Sequence, residues 1–331
     1  MTSHVSNVDR NLALELARVT EAGALMAARW MGRGDKIAAD QAAVDAMRAV
    51  LNSVQMDGIV VIGEGAKDEA PMLFIGEQVG SGGEPAVDIA VDPIDGTRLL
   101  SLGMPNAIAV VAISDRGTML SSPDISYMNK IAVGAEAAGH IDIRASVGHN
   151  LAGIAGAKGV KIGDLTIVVL DRPRHEELIA EIRDTGARIK LIPDGDVAGA
   201  VMAATPGTGI DALLGIGGAP EAVIAACAIK CLGGEIQAVR YPRNEAERQI
   251  AAEQNLSLEE VLTMDELVAS DNVFFAATGI TDGELVKGVH FVSEGASTSS
   301  IVMRSRTGTI RRIDASHRLD KLRSLSGLQF D

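Results

Sequence analysis

Several residue types are scarce in this chain, and each scarcity excludes something. Aromatic residues make up 2% of the 331 positions: five Phe, two Tyr and one Trp. The core must therefore be built from Ala, Val, Ile, Leu and Met, and the scarcity argues against stacking platforms for single-stranded nucleic acid. There are two cysteines, Cys227 and Cys231. Two are too few for a disulfide scaffold or a Cys-only zinc site. Four apart on a helix-like stretch, they read as buried thiols of a reducing cytoplasm. No His-x-His or His-x-x-x-His pair occurs, which also argues against zinc. No run of about 18 apolar residues is present, so no membrane span is expected. The first 20 residues lack the continuous apolar core of a signal peptide. Positive charge is short as well: 30 Lys and Arg stand against 44 Asp and Glu, a net charge of −14. That balance opposes nucleic-acid binding through overall charge.

What is present points to a globular protein of mixed α/β class. Hydrophobic residues make up 47%, mean hydropathy is positive, and the length suits roughly two domains. Residues 8–31 carry Leu12, Leu14, Leu16, Val19, Leu25 and Met26 at helical spacing, with Gly32 and Gly34 as a stop. Residues 38–51 read as a second helix. Short apolar runs at 59–62, 87–91 and 108–113 read as strands. A second series follows: strand 165–170, helix 176–185, strand 188–192, helix 197–204, strand 212–215 and helix 220–232. This alternation predicts an α/β unit with some parallel pairing. Residues 244–270 read as charged and helical, and 273–278, 290–292 and 301–304 as strands. A soft boundary falls in the Gly-rich stretch 148–163, dividing the chain into lobes 1–155 and 156–331.

The most informative segment is 87–97, VDIAVDPIDGT. An apolar strand delivers Asp92 at its end, and Asp95-Gly96-Thr97 follow at once. Two carboxylates three apart at a strand end suit one hard cation such as Mg²⁺. A helix opening at Asp-Gly-Thr offers free N–H groups to a phosphate, and the Thr97 hydroxyl suits orienting a water. The same tripeptide also serves as an ordinary turn with Asp95 as a cap. A second acidic loop, Gly63-Glu64-Gly65, follows another strand, its glycines leaving the backbone free to aim Glu64. Asp68 and Glu69 read as solvated turn residues, and Asp40 by spacing alone as surface charge. Further along, Arg172-Pro173-Arg174 follows a strand at the end where open α/β sheets bind ligands, and forked arginines suit phosphate. Asp194-Gly195-Asp196 suits sugar hydroxyls or a helix cap. The loop 215–221, GIGGAPE, has Pro at a first helical position.

Taken together, IGEGAKDEAPM, DIAVDPIDGT, RPRH, DGD and GIGGAPE resemble the class II, GlpX-type fructose-1,6-bisphosphatases of the metal-dependent sugar-phosphatase superfamily. The resemblance covers nearly the whole chain. It implies a layered fold of two sheet-containing lobes flanked by helices. It implies that Asp40, Glu64, Asp92 and Glu221 bind Mg²⁺ or Mn²⁺, with Asp95 as a further ligand where the family carries Glu or Asp. It also implies that Thr97, beside Asp95, activates the attacking water. Substrate contacts would fall on Lys36, Asp95, Gly96, Thr97, Tyr127, Arg172, Pro173, Arg174, Asp194, Gly195, Asp196 and Gly218. From its place beside the arginines, His175 reads as a supporting group.

The implied reaction is hydrolysis of D-fructose 1,6-bisphosphate to fructose 6-phosphate, a gluconeogenic step, with sedoheptulose 1,7-bisphosphate as a further substrate. A homo-oligomer, dimer or tetramer, is also implied. Two alternatives stand beside it: an inositol-monophosphatase-like enzyme, which shares DPIDGT, and a non-catalytic sugar-phosphate sensor. The basic stretch Arg304 to Arg323 reads as a solvated face or a subunit contact.

Overall fold

Segments 86–95 and 108–115 are buried at nearly every position because both faces of their sheet are covered. The computed structural model describes residues 11–64, 73–121, 125–293, 295–318 and 320–322. The described chain opens with helices α1 (Ala13–Ala27) and α2 (Lys36–Leu51). Strands β1 (Asp57–Ile62), β2 (Gln78–Val79) and β3 (Ala86–Asp95) follow, then α3 (Thr97–Leu102) and β4 (Ile108–Asp115). Next come β5 (Tyr127–Val133), α4 (Val147–Lys158), β6 (Thr166–Leu170), α5 (Glu176–Asp184) and β7 (Arg188–Ile192). After α6 (Asp196–Ala204), β8 (Ala212–Gly218), α7 (Ala219–Leu232) and β9 (Glu235–Tyr241) come two shorter helices, α8 (Glu245–Glu253) and α9 (Met264–Leu267). The last strands are β10 (Phe274–Gly279), β11 (His290–Val292), β12 (Gly295–Arg304) and β13 (Thr309–Arg318).

These strands form two mixed sheets. The larger has the order β11-β12-β10-β4-β3-β1-β2, with β13 paired to β12; the smaller has the order β7-β6-β8-β5-β9. β1 and β3 run parallel, as do β6–β7 and β6–β8. Side-chain alternation sorts the core into layers. On one face of the larger sheet, Ile89, Val91 and Val111 pack with Leu16 and Val19 of α1 and Met47 of α2. On its other face, Ala90, Val110 and Phe275 join Val201 of α6 and Ile224 of α7, together with Met128, Val168 and Leu213 of the smaller sheet. The far face of the smaller sheet carries Ile131 and Ile167 against Leu151 of α4 and Ile182 of α5. The order is thus helix, sheet, helix, sheet, helix. Helix α7 is apolar nearly all round because it lies between the two sheets, as a fully enclosed helix must.

The expected mixed α/β class and layered arrangement are what the chain adopts. Five details differ from the sequence reading. Leu14 is 62% exposed, on the outer side of α1. Residues 254–263 are not helical; only Glu245–Glu253 and Met264–Leu267 are, the latter started by a Thr263–Glu266 capping box. The Gly-rich stretch near 148–163 is largely helix α4, capped by Ser146 and closed by left-handed Gly159. The larger sheet draws strands from both 57–115 and 274–318, so a cut near residue 155 leaves its strands on both sides. Within the basic stretch, Arg304 is buried, stacked 4.7 Å over Phe274 and bonded to Asn272 Oδ1, so it is not solvated. Arg323, Gly65, Asp68 and Glu69 lie outside the described residues. Cys227 and Cys231 are buried free thiols on α7, and burial pushes both thiol pKa values up. Among the described residues no helix is long and apolar enough to cross a membrane.

Candidate active site

The site is built at the end of β3 by a break in strand periodicity. Residues three apart on a regular strand point to opposite faces. Here the pairing with β4 steps from Asp92↔Val110 to Asp95↔Ile108, so β3 holds one extra residue, a β-bulge. The bulge brings Asp92 and Asp95 to the same side, near enough for the Asp95 charge to raise the Asp92 pKa. Asp92 Oδ1 accepts a bond from Ile94 N at 3.1 Å. Gly96 then takes a left-handed φ of 92°, which glycine tolerates, and turns the chain into α3 with Thr97 first.

The other acids arrive from separate elements. Glu64 follows β1, where Glu64 N bonds Leu73 O at 3.0 Å. A Cβ on Gly63 would lie 1.9 Å from Leu73 O, so glycine is required there. Asp40 projects from α2, whose N-terminus is capped by Asp35. Its Oδ1 lies 3.3 Å from Thr97 Oγ1, which is also 3.2 Å from Ile94 O. Glu221 sits in the first turn of α7, and its Oε2 is buried without a hydrogen-bond partner. A Cβ on Gly218 would lie 1.7 Å from that oxygen. Lys36, at the start of α2, is exposed and acts on Asp40 through its charge.

Electrostatics tie these carboxylates into one group. Burial and the Glu64 charge raise the Asp40 pKa to about 7. Burial raises Glu64, and burial with the Asp196 charge raises Glu221 to about 7. Asp92 and Asp95 are pushed well above the usual carboxylate range, chiefly by burial. These five side chains offer only carboxylate oxygens, the donor set of a hard divalent cation, and Glu221 Oε2 is buried without a hydrogen-bond partner. Among the described residues no three acidic, histidine or cysteine side chains close tightly enough to enclose an ion as placed. The acids share a field without forming a finished cage.

Asp95 does something spacing alone left open. Its Oδ2 accepts a bond from Ala198 N at 2.9 Å, so it caps the first turn of α6 from across the cleft and ties the sheets together. Gly195, with φ 81°, starts that helix. Asp196 beside it is buried and meets Lys130 Nζ at 2.6 Å. This is an ion-pair contact, since Oδ2 receives no directed hydrogen bond. Lys130 also donates to Gly218 O at 3.2 Å. Sequence reasoning missed Lys130, although one lysine inside the apolar strand YMNKIAV was a usable signal.

The basic end divides its two arginines. Arg172 turns inward, donating to Pro193 O at 2.6 Å and Asp194 Oδ1 at 3.3 Å, and so braces the Asp194-Gly195-Asp196 turn. Asp194 Oδ2 also accepts from Arg98 N. Pro173 opens a single 3₁₀ turn that carries Arg174. Arg174 donates twice to Ile216 O and stacks 5.0 Å over the Tyr127 ring. Tyr127 in turn faces Gly218 in the β5–β8 register. His175 is 1% exposed and accepts at Nε2 from Ile216 N, at 2.7 Å. Its proton is therefore on Nδ1, donated to Leu170 O at 2.7 Å. Burial lowers its pKa, so His175 is a neutral pin beneath the Arg174 loop.

A buried acid group, a hydroxyl in contact with it and an arginine stacked on tyrosine across the same cleft are the parts of a phosphoric monoester hydrolase. Residues 10–317 match the family model described as bacterial fructose-1,6-bisphosphatase, glpX-encoded. The chain belongs to that family. It is 48% identical over 328 residues to the fructose-1,6-bisphosphatase class 2 of Haemophilus influenzae, covering 95% of this chain and 98% of that one. It is 45% identical over 325 residues to fructose-1,6-bisphosphatase 1 class 2 of Escherichia coli, covering 94% and 96%.

Proposed function

We propose that this protein hydrolyses D-fructose 1,6-bisphosphate to fructose 6-phosphate and phosphate, as a cytoplasmic step of gluconeogenesis carried out by a dimer or tetramer. The observation that carries the reading is the contact of Thr97 Oγ1 with Asp40 Oδ1, inside the acid group and at the start of α3. Asp40, Glu64, Asp92 and Glu221, with Asp95 behind them, would hold Mg²⁺ or Mn²⁺. Such an ion, when bound, offsets phosphoryl charge and acidifies water.

The chain's own groups divide the remaining work. With its proton turned to Asp40 Oδ1, the Thr97 hydroxyl keeps its lone pairs for the attacking water and fixes that water in line with phosphorus. The water oxygen bonds to phosphorus as the bond to the C1 oxygen breaks. One of the water's protons stays on the phosphate released and the other ends on the C1 oxygen, giving the sugar hydroxyl. The first N–H groups of α3, apart from the Arg98 N–H that is bonded to Asp194, face phosphate oxygens under this reading. Arg174 holds the distal phosphate, while Asp194 and Asp196 accept bonds from sugar hydroxyls. Sedoheptulose 1,7-bisphosphate, one carbon longer with the same two ends, is a further substrate under this reading.

The test is phosphate release from fructose 1,6-bisphosphate, sedoheptulose 1,7-bisphosphate and inositol 1-phosphate, with Mg²⁺ or Mn²⁺ and after chelation. Turnover of the ketose bisphosphate that is lost on chelation is expected; preference for inositol 1-phosphate would refute the assignment. Thr97→Val should lower kcat by about 100-fold or more while substrate still binds, and Thr97→Ser should restore most of it. A near-normal kcat in Thr97→Val removes the role given to the hydroxyl.

A further inference from the structure

We propose that Arg243 is a further substrate-binding residue, which completes with Arg174 a pair of arginines for the distal phosphate at the Tyr127 ring that both contact. The inference rests on the bisphosphatase reading above and deepens it.

The argument starts from how firmly an exposed side chain is held. Arg243 follows β9 and directly precedes Asn244, the N-cap of α8, whose side chain accepts from Glu247 N at 2.9 Å. Glu247 is 6% exposed and turns back along the chain. It accepts from Arg243 N and from Arg243 Nε, both at 2.8 Å. Arg243 Nη2 also donates to Ser126 Oγ at 2.8 Å, the residue before Tyr127. A free arginine at a surface samples many rotamers, and this one is held by these bonds before any ligand arrives. The guanidinium so fixed lies 5.3 Å over the Tyr127 ring, the ring that Arg174 covers at 5.0 Å.

The donor count shows what remains for a ligand. A guanidinium carries five N–H groups. Glu247 and Ser126 take the Nε and Nη2 side of Arg243, so the Nη1 pair lies outside those bonds, on a guanidinium that also interacts with the Tyr127 side chain. Arg174 spends Nε and one Nη2 hydrogen on Ile216 O, which likewise leaves its Nη1 pair. Arg172 differs, being engaged with Pro193 O and Asp194. A phosphate monoester carries close to two negative charges at neutral pH, more than one arginine neutralises. Charge, fork geometry and the shared ring all point to Arg243 as the second cation.

The experiment measures kcat and KM on fructose 1,6-bisphosphate, and kcat/KM on fructose 1-phosphate, which lacks the distal phosphate. The variants are Arg243→Gln, Arg243→Lys, Arg174→Ala and the double Arg243→Gln/Glu247→Gln, which removes the buried carboxylate along with its partner. Arg243→Gln and the double variant should raise KM for the bisphosphate by about 10- to 100-fold, with kcat changed far less. Their loss in kcat/KM on fructose 1-phosphate should stay within about twofold. Arg243→Lys, which keeps the charge and loses the fork, should fall between. If Arg243→Gln and the double variant lose equally on both esters, or on neither, while Arg174→Ala separates the esters, the role of Arg243 is overturned and the distal-phosphate reading stands. If Arg174→Ala separates nothing either, that reading fails and the inference falls with it.

Discussion

Replacing Lys130 by methionine tests the internal charge balance of the cleft. Met matches the length of the stem but removes the ammonium group from Asp196, with which it is paired at 2.6 Å at side-chain exposures of 2% and 8%. Two charges with centres about 4 Å apart attract by about 4 kcal/mol at an effective dielectric near 20. Removing one member of a buried pair typically costs about 3–5 kcal/mol, because the other is left charged and enclosed. Here the stranded Asp196 would also face Asp95 and Glu221, whose pKa values its charge already raises. The expected loss is therefore about 3–5 kcal/mol, a large part of a typical domain stability of about 5–15 kcal/mol. Relaxation is obstructed locally: a Cβ on Gly217 would lie 2.0 Å from Asp196 Oδ2, so that carboxylate sits hard against the backbone. The assay is the urea midpoint of Lys130→Met, Asp196→Asn and the double variant, without divalent ions. The double variant should be less destabilised than the sum of the singles by about 2 kcal/mol or more. A cost below about 1 kcal/mol for Lys130→Met, or additivity within about 0.5 kcal/mol, refutes the reasoning.

Two other predictions follow from the same physics. Glu21 on α1 has its pKa raised to about 7 by burial, so the fold prefers the protonated form and loses stability as pH rises through that value. Glu21→Gln should therefore stabilise the protein by about 2 kcal/mol more at pH 8.5 than at pH 5.5, and equal melting shifts at both pH values would contradict this. Gly218→Ala places a methyl group 1.7 Å from Glu221 Oε2 and must turn that carboxylate away. Titration with Mn²⁺ should show affinity weakened by about tenfold or more, and unchanged affinity would remove Glu221 from the ligand set.

How far the sequence could be read depended on the range of the interaction. The strand ending in Asp92 and the helix opening at Thr97 were legible, because apolar periodicity and Asp-Gly-Thr are local signals. The bulge between them was not, since it exists only in register with Val110 and Ile108 of β4. Asp40 looked like surface charge on its helix; its partner Thr97 lies 57 residues away, and no spacing rule reaches that far. Asp95 could be read as a cap or a ligand, yet the helix it caps begins at Asp196, a hundred residues on. The arginines of RPRH looked equivalent in sequence and are not, because Pro193 and Asp194 claim Arg172 while Ile216 and Tyr127 claim Arg174. Tertiary neighbours made each of these distinctions.

The way the larger sheet is assembled bears on when the protein can work. β4 lies between β3, its neighbour in the chain, and β10, which begins about 160 residues after β4 ends. At roughly 5–20 residues per second, a ribosome delivers β10 some 10–30 s after β4. Until then the strand carrying Asp92 and Asp95 belongs to a sheet whose middle is open on one side. The smaller sheet draws all its strands from residues 127–241, so its own ladder is complete before β10 is made. Its helices α6 and α7 can be ready as a surface onto which the catalytic sheet closes. In a nascent chain the sheet that carries Asp92 and Asp95 thus stays unfinished until the C-terminal strands are made.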